Sequence, residues 1–357
     1  MGVYAFLRKI GHKYFPALIE PYRSVRFWVL KWAKIQNQLH DIAQISNKTF
    51  DFKTEGAISL EQFYNSAENA DIKRGIIFMC DGRLLHGGPS DRLRGILTTY
   101  REARKRGIPF FIHWNYPFIL EDYLVPADVD WRIKPEQISY SPGQAYPVVI
   151  METTDPQTHA DNSLRLNAAL KRALPQTHVY SNAANAKKHY EELYRQLFKP
   201  SKILQEQIDR NLSILGDKYY SFTFRFLTLL GDFNDHLGII LPPEEATLLI
   251  GKVTSEFKKY LAKIPSNTRI LVTSDSMKFL KHVAGLDSRI HITPGNVANI
   301  DLSPGKDSGA WLKTFTDQQL IMRANRVYLF RTGKMYKSGF PEFAARVGGT
   351  KFIDHRF

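Results

Sequence analysis

The chain has 357 residues, 43% hydrophobic and 13% aromatic, a composition that suits globular domains with real cores and excludes disorder as its main state. Its 49 Lys and Arg against 35 Asp and Glu give a formal charge of +14, which favours anionic partners: nucleic acid, anionic lipid or phosphorylated substrates. The single cysteine, Cys80, excludes an intramolecular disulfide framework and fits a reducing compartment, and no CxxC or HExxH spacing offers a zinc site.

Residues 1–36 carry Arg8, Lys9, Lys13, Arg23, Arg26, Lys31 and Lys34 against one acid, Glu20, with Phe6, Leu7, Ile10, Phe15, Phe27, Trp28 and Trp32 interleaved. This pattern predicts basic amphipathic helices within 1–50. They could lie on an anionic membrane face, or equally pack on the chain's own body. The apolar runs fall short of the roughly 18 residues of a transmembrane span. Charge interrupts every candidate signal-peptide core, so a cytoplasmic protein, peripheral at the inner membrane face, is the expectation.

After a polar connection over 37–70, an α/β segment is predicted from Ile72 to Phe198. Its strands are GIIFMC (75–80), IPFFIHW (108–114) and YPVVIM (146–151), and its helices include 91–106 and 185–198. In the first helix Leu93, Ile96, Leu97, Tyr100 and Ala103 share one stripe. Prolines punctuate the middle at 126, 135, 142 and 147, as expected around a cleft. The stretch 199–216 reads as a connector helix with Ile203, Ile208 and Leu212 as its apolar positions.

The second half alternates again. The strand-like YYSFTFRFLTLLGDF (219–233) precedes a helix over 243–263 that is opened by Pro-Pro-Glu-Glu. Then come the strand RILVTSD (269–275), a helix over 276–284, RIHIT (289–293), a helix over 311–324, RVYLF (326–330) and a helix over 341–347. The fold class is therefore α/β, two Rossmann-like domains facing across a cleft, with N-terminal amphipathic helices. The expected boundaries are 1–50 for the helices, 72–200 for an acceptor-side domain and 215–357 for a donor-side domain.

Four stretches stand where α/β sheets hold ligands. HGGPSDRLRGI (86–96) offers Gly87, Gly88, Asp91 and Arg92 between a buried strand and a helix; the alternative is a tight turn with a plain helix cap. Arg225 sits in an apolar strand, where a phosphate, or a carboxylate such as Asp232, must answer its charge. Ser274, Asp275 and Ser276 end a strand at a helix start and could cap it or hold a ribose hydroxyl. Ser338, Gly339 and Phe340 open the last helix and could aim hydroxyl and backbone N–H groups at an anion.

Together, HGGPSDRLRGI, FRF…GDF, SDS and YKSGF resemble the motifs of the α-1,6-fucosyltransferase and protein O-fucosyltransferase superfamily and its bacterial relatives. The resemblance spans roughly 72–350. It implies a GT-B fold with a GDP-sugar in the C-terminal domain and inverting, metal-free transfer. It further implies that Arg225 grips the β-phosphate, that Ser274 and Asp275 lie near ribose and base, that Ser338 and its neighbours touch the diphosphate, and that Gly87, Gly88 and Asp91 border the cleft. The family's motif is His-x-Arg with an acid close behind. Here Thr223 stands in the histidine's place, and Asp232 follows the arginine at a greater distance. Asp91, Asp232 and Glu152 are the candidates for taking the acceptor proton.

The expected partners are a GDP-sugar donor, an oligosaccharide or lipid-linked acceptor, and an anionic membrane surface for residues 1–36. No cofactor and no metal are called for. Three other readings remain. Asp128 and Asp130 spell a DxD that could bind a divalent metal. A non-catalytic relative would bind the nucleotide sugar and transfer nothing. The charge of +14 suits nucleic acid, but no RNA- or DNA-binding motif is present, and the run at 101–106 reads as a solvated helix end.

Overall fold

The computed structural model describes residues 60–84, 86–150, 166–184, 186–235, 239–300 and 308–357. The helices expected within 1–50 and the acid Glu152 lie outside the described residues.

In chain order, β1 (Gly75–Cys80), α1 (Pro89–Lys105), β2 (Phe110–Trp114), β3 (Leu124–Pro126), β4 (Ala145–Ile150), β5 (Gln176–Ser181), α2 (Tyr190–Leu197), β6 (Phe198–Pro200) and α3 (Lys202–Leu215) build the first half. The second half comprises β7 (Tyr219–Phe224), α4 (Pro243–Leu261), β8 (Arg269–Ser274), α5 (Met277–Val283), β9 (Ile290–His291), α6 (Ser308–Arg323), β10 (Arg326–Arg331), α7 (Phe340–Val347) and β11 (Phe352–Arg356). Every apolar run read as a strand is one, although RIHIT contributes only its two central residues.

The first sheet has the order β2-β1-β5-β4 and the second β11-β10-β7-β8-β9, and every pair within them is parallel. Parallel strands need crossovers, and those crossovers put helices on the sheet faces. The chain thus has the two Rossmann-like α/β halves expected, with a short antiparallel ribbon of β3 and β6 beside the first. One apolar core runs through both halves, joining Ile96 and Leu97 of α1 to Leu193 of α2, Leu204 of α3, Leu320 of α6 and Phe343 of α7. The outer sheet faces have cores of their own, with Phe222, Phe257 and Phe330 in the second half and Ile77, Met79 and Tyr180 in the first.

In α1 the predicted stripe of Leu93, Ile96, Leu97, Tyr100 and Ala103 is buried. The buried face is wider than predicted. Thr98, outside that stripe, is also buried and donates its hydroxyl to the Ala183 carbonyl at 2.8 Å. Gly95 lets the helix settle on β5, since a methyl there would lie 2.0 Å from the Ser181 carbonyl oxygen. In α3 the apolar positions part: Ile208 is buried with Leu204 and Leu215, while Ile203 is exposed. Ser201 caps this helix by accepting the Leu204 N–H.

Candidate functional site at the meeting of the two sheet ends

In the second sheet β7 runs outward through β8 to β9, and the chain then returns to place β10 on the other side of β7. β7 and β10 are therefore neighbours whose following loops part in opposite directions. The crevice beyond their carboxyl ends is where open α/β sheets bind ligands. Arg225 follows β7, the segment 332–339 follows β10, and the two loops touch through the Tyr336 N–H, which donates to the Arg225 carbonyl at 3.1 Å.

Register explains Arg225's partner. Phe224 pairs with Ser274, so Arg225 and Asp275 emerge side by side at the sheet's edge. Asp275 Oδ1 accepts the Phe226 N–H at 2.9 Å and Oδ2 accepts the Leu227 N–H at 2.7 Å, while Arg225 Nε lies 3.2 Å from Oδ2. Leu227 adopts φ +54°, a backbone conformation that non-glycine residues rarely hold, and the carboxylate it serves keeps it there. Burial raises the Asp275 carboxyl above its ordinary range, against the opposing pull of Arg225.

Arg225 itself stands just past the strand rather than within it, with 26% of its side chain exposed. The sequence reading weighed Asp232 as its counter-charge. The structure supplies Asp275 instead, with Asp235 Oδ2 at 3.6 Å from Nη2 and the Phe233 ring 4.6 Å beneath the guanidinium.

Asp232 has another task. Its Oδ2 accepts the Ser276 hydroxyl at 3.0 Å and the Lys278 N–H at 2.8 Å, fastening the start of α5. Ser276 is that helix's N-cap, accepting from the Phe279 N–H at 3.1 Å, and Ser274 Oγ accepts the Ser276 N–H at 3.1 Å. Ser274, Asp275 and Ser276 are all buried, with their hydrogen bonds directed inward. Asp275, and Ser276 through Asp232, brace the loop that carries Arg225.

The opposite wall comes from the first sheet. Gly87 has φ +91°, and a methyl there would meet Asp91 Oδ2 at 2.7 Å, so only glycine fits. Asp91 Oδ2 accepts the Gly88 N–H at 3.0 Å, a capping interaction at the head of α1. Arg92 departs from expectation. It turns inward, fully buried, and donates to the Tyr116 carbonyl at 2.7 Å, Cys80 Sγ at 2.8 Å and the Gly87 carbonyl at 3.2 Å. It holds the glycine turn from beneath and presents nothing to a ligand.

At the last helix Ser338 Oγ accepts the Phe340 N–H at 3.2 Å, so one of the expected anion donors is already engaged. Gly339 is the N-cap of α7, and a methyl on it would lie 3.3 Å from Arg94 Nη1. Arg94 also pairs with Asp91 through Nη2. The wall of the first sheet and the loops of the second therefore meet here. Tyr336, 45% exposed, lies in the same neighbourhood: burial raises its phenol, and Asp91, Arg225, Asp235 and Arg94 all act on it.

Arg94, Tyr336 and Asp235 escaped the sequence reading. The signal for Arg94 was its i,i+3 spacing from Asp91 on a helix whose inward stripe was already assigned. A second cluster at the end of β1 also escaped. Asp81 Oδ2 accepts Arg83 Nη1 at 2.6 Å and the Tyr180 hydroxyl at 3.0 Å, and Arg83 stacks 4.0 Å over the Tyr140 ring. The DxD lies elsewhere: Asp130 holds Arg132 in a bidentate pair at 2.7 and 2.9 Å, beside the edge of β2. Among the described residues no three His, Cys, Asp or Glu side chains converge as a metal site.

No family model matches the chain, and no curated protein matches it. Among solved structures it is similar to a variant of Arabidopsis thaliana FUT1 in complex with GDP, with a TM-score of 0.51 at 11% identity, covering 90% of this chain and 79% of that one. It is also similar to the fucosyltransferase NodZ from Bradyrhizobium (TM-score 0.48, 15% identity, 76% of this chain and 93% of that one). A third similarity is to POFUT1 in complex with GDP (TM-score 0.40, 9% identity, 81% and 99%). The likeness to FUT1 is one of fold: two Rossmann-like domains of the GT-B type.

Proposed function

We propose that the chain is an inverting, metal-independent glycosyltransferase that moves a sugar, fucose first among the choices, from a GDP-sugar to a saccharide acceptor. The observation that carries this reading is Arg225. It is a guanidinium at the switch point of the second sheet, oriented by a buried carboxylate and left partly open to the crevice. The guanine nucleotide and the fucose rest on the motif resemblance, with support from the fold shared with FUT1, whose structure holds GDP.

In the reaction the acceptor oxygen bonds to the anomeric carbon as that carbon's bond to the β-phosphate oxygen breaks. The electron pair leaves on the diphosphate, whose growing charge Arg225 and the amide end of α7 compensate. Inversion brings the acceptor to the face opposite the diphosphate, so the group taking the hydroxyl proton belongs to the wall of the first sheet. Asp91 stands on that wall. Asp232 stands on the donor side with Oδ2 on α5, and Asp91 itself has Oδ2 on the Gly88 N–H and Oδ1 on Arg94.

Calorimetric titration of GDP, UDP and CDP in EDTA, on wild type and Arg225→Ala, tests the reading. GDP binding that is selective and lost in the variant supports it. No nucleotide binding to wild type removes it, and binding that requires Mn²⁺ or Mg²⁺ returns the metal-dependent alternative.

The acceptor we infer is a surface or lipid-linked glycan, presented at the inner face of a membrane that residues 1–36 contact. No helix among the described residues is long and apolar enough to cross a membrane. Equal partitioning to anionic vesicles of the full chain and of a chain lacking 1–36 would sink the membrane part of this proposal.

A further inference from the structure

We infer that Arg94, on α1 of the first half, is a second ligand of the donor diphosphate, so that the leaving group is held by one arginine from each half of the molecule. The inference rests on the donor-site reading of Arg225 and assigns a residue beyond it. Three observations carry it. A methyl on Gly339, the N-cap of α7, would lie 3.3 Å from Arg94 Nη1, so the missing side chain leaves room for the guanidinium at the head of that helix. Gly339 belongs to the loop whose Tyr336 N–H rests on the Arg225 carbonyl, so both arginines border one short stretch of chain. Finally, Arg94 is incompletely answered by the protein: Nη2 pairs with Asp91, while Nε is buried without a hydrogen-bond partner among the described residues.

An anion seated at Gly339 meets Nη1, which, like Nε, has no hydrogen-bond partner among the described residues; Nε itself lies on the opposite edge of the guanidinium, beside Nη2. Asp91 keeps the fork in place by holding Nη2. An arginine at this position also ties donor affinity to the approach of the two halves, because Arg94 and Arg225 come from different halves of the chain.

The test titrates GDP into the full-length wild type, Arg94→Ala, Arg94→Lys and Arg225→Ala. Arg94→Ala should weaken GDP about ten- to a hundredfold, the range of a charge-assisted hydrogen bond, with Arg94→Lys in between. In wild type, the side-chain Nε–H resonance missing from the Arg94→Lys spectrum should move when GDP is added, and a purely structural arginine would leave it in place. Wild-type binding that is lost in Arg225→Ala but kept in Arg94→Ala, with that resonance unmoved, overturns this inference alone. Should Arg94→Ala not fold, the resonance and Arg94→Lys decide. No GDP binding by wild type instead removes the donor-site reading on which the inference stands.

Discussion

Asp275 and Arg225 are bound by sheet register: the last residues of β7 and β8 are paired, and the next residue on each strand supplies one member of a carboxylate–guanidinium contact at 3.2 Å. The carboxylate also fixes the Phe226 and Leu227 amides. Asp275→Asn exchanges one acceptor oxygen for a donor facing those groups and removes the nearer carboxylate charge from Arg225, leaving Asp235 at 3.6 Å. We expect GDP affinity to fall about tenfold or more, together with a loss of roughly 2–4 kcal/mol in stability. Calorimetry and urea unfolding on the same preparation measure both. Unchanged GDP affinity in a folded Asp275→Asn would show that Arg225 needs no such partner.

Of the three carboxylates weighed at the sequence level, Asp91 and Asp232 lie among the described residues and separate by position. Asp232 accepts from Ser276 and Lys278 at the head of α5, so Asp232→Asn should lower stability by about 1 kcal/mol and leave turnover within a few-fold. On the proposed reading Asp91 is the first-half candidate for taking the acceptor proton, so Asp91→Asn should reduce kcat by about a hundredfold or more. Steady-state kinetics with unfolding curves distinguish them. A large kcat loss in Asp232→Asn with intact stability would reverse the assignment.

What was readable in the sequence and what was not follows from burial and reach. Apolar strands such as GIIFMC and RILVTS announce themselves, because a parallel strand buried on both faces needs a continuous hydrophobic run. β5, with the sequence QTHVYS, does not, although all its residues are buried. Its polar side chains are answered across long separations: the Gln176 amide donates to the Lys73 and Gln137 carbonyls at 2.7 Å each, and its oxygen accepts the Ser139 N–H at 2.8 Å. No local pattern encodes such partners. Arg225 was recognisable as an arginine needing an anion, but its true counter-charge depended on the pairing of β7 with β8. Thr223, in the place of the family's histidine, is explained only by β8, where its hydroxyl meets that of Thr273 at 2.8 Å in a buried pair. Arg92 and Arg94 look alike in sequence. Only the packing of α1 turns the first into the core and leaves the second beside Gly339.

Gly95 gives a prediction that links packing to the site. A methyl 2.0 Å from the Ser181 carbonyl oxygen cannot be accommodated unless α1 moves away from β5. That movement displaces Asp91 and Arg94, one turn and one residue before it. Despite alanine's better helix propensity, Gly95→Ala should lose about 1–3 kcal/mol and weaken GDP by several-fold. A variant at least as stable as wild type would mean that α1 shifts freely on the sheet. The coupling argued for Arg94 would then lose its structural basis.

Acid should unfold this protein partly through two histidines that no proposed chemistry uses. Burial, reinforced by the charge of Arg92, pushes the His86 imidazole from its ordinary 6.5 down to about 3. Burial likewise takes His178 down to about 3, helped by His113 and Arg83. Above 6.5 both states of the protein are neutral at these positions and the histidines add no pH dependence. As the pH falls below 6.5 the unfolded chain takes up protons that the folded one refuses, so stability declines until the folded values near 3 are reached. Each histidine contributes a slope of roughly 1 kcal/mol per pH unit inside that window. His86 stacks on Tyr180 at 6.0 Å and lies near Phe78, so a phenyl ring suits its surroundings. Between pH 7 and 5, His86→Phe should lose roughly 1–2 kcal/mol less than wild type in urea unfolding, the share of one buried neutral imidazole. Parallel pH profiles for the two proteins would mean that His86 titrates in the folded state as it does in the unfolded chain, and that its burial carries no proton linkage.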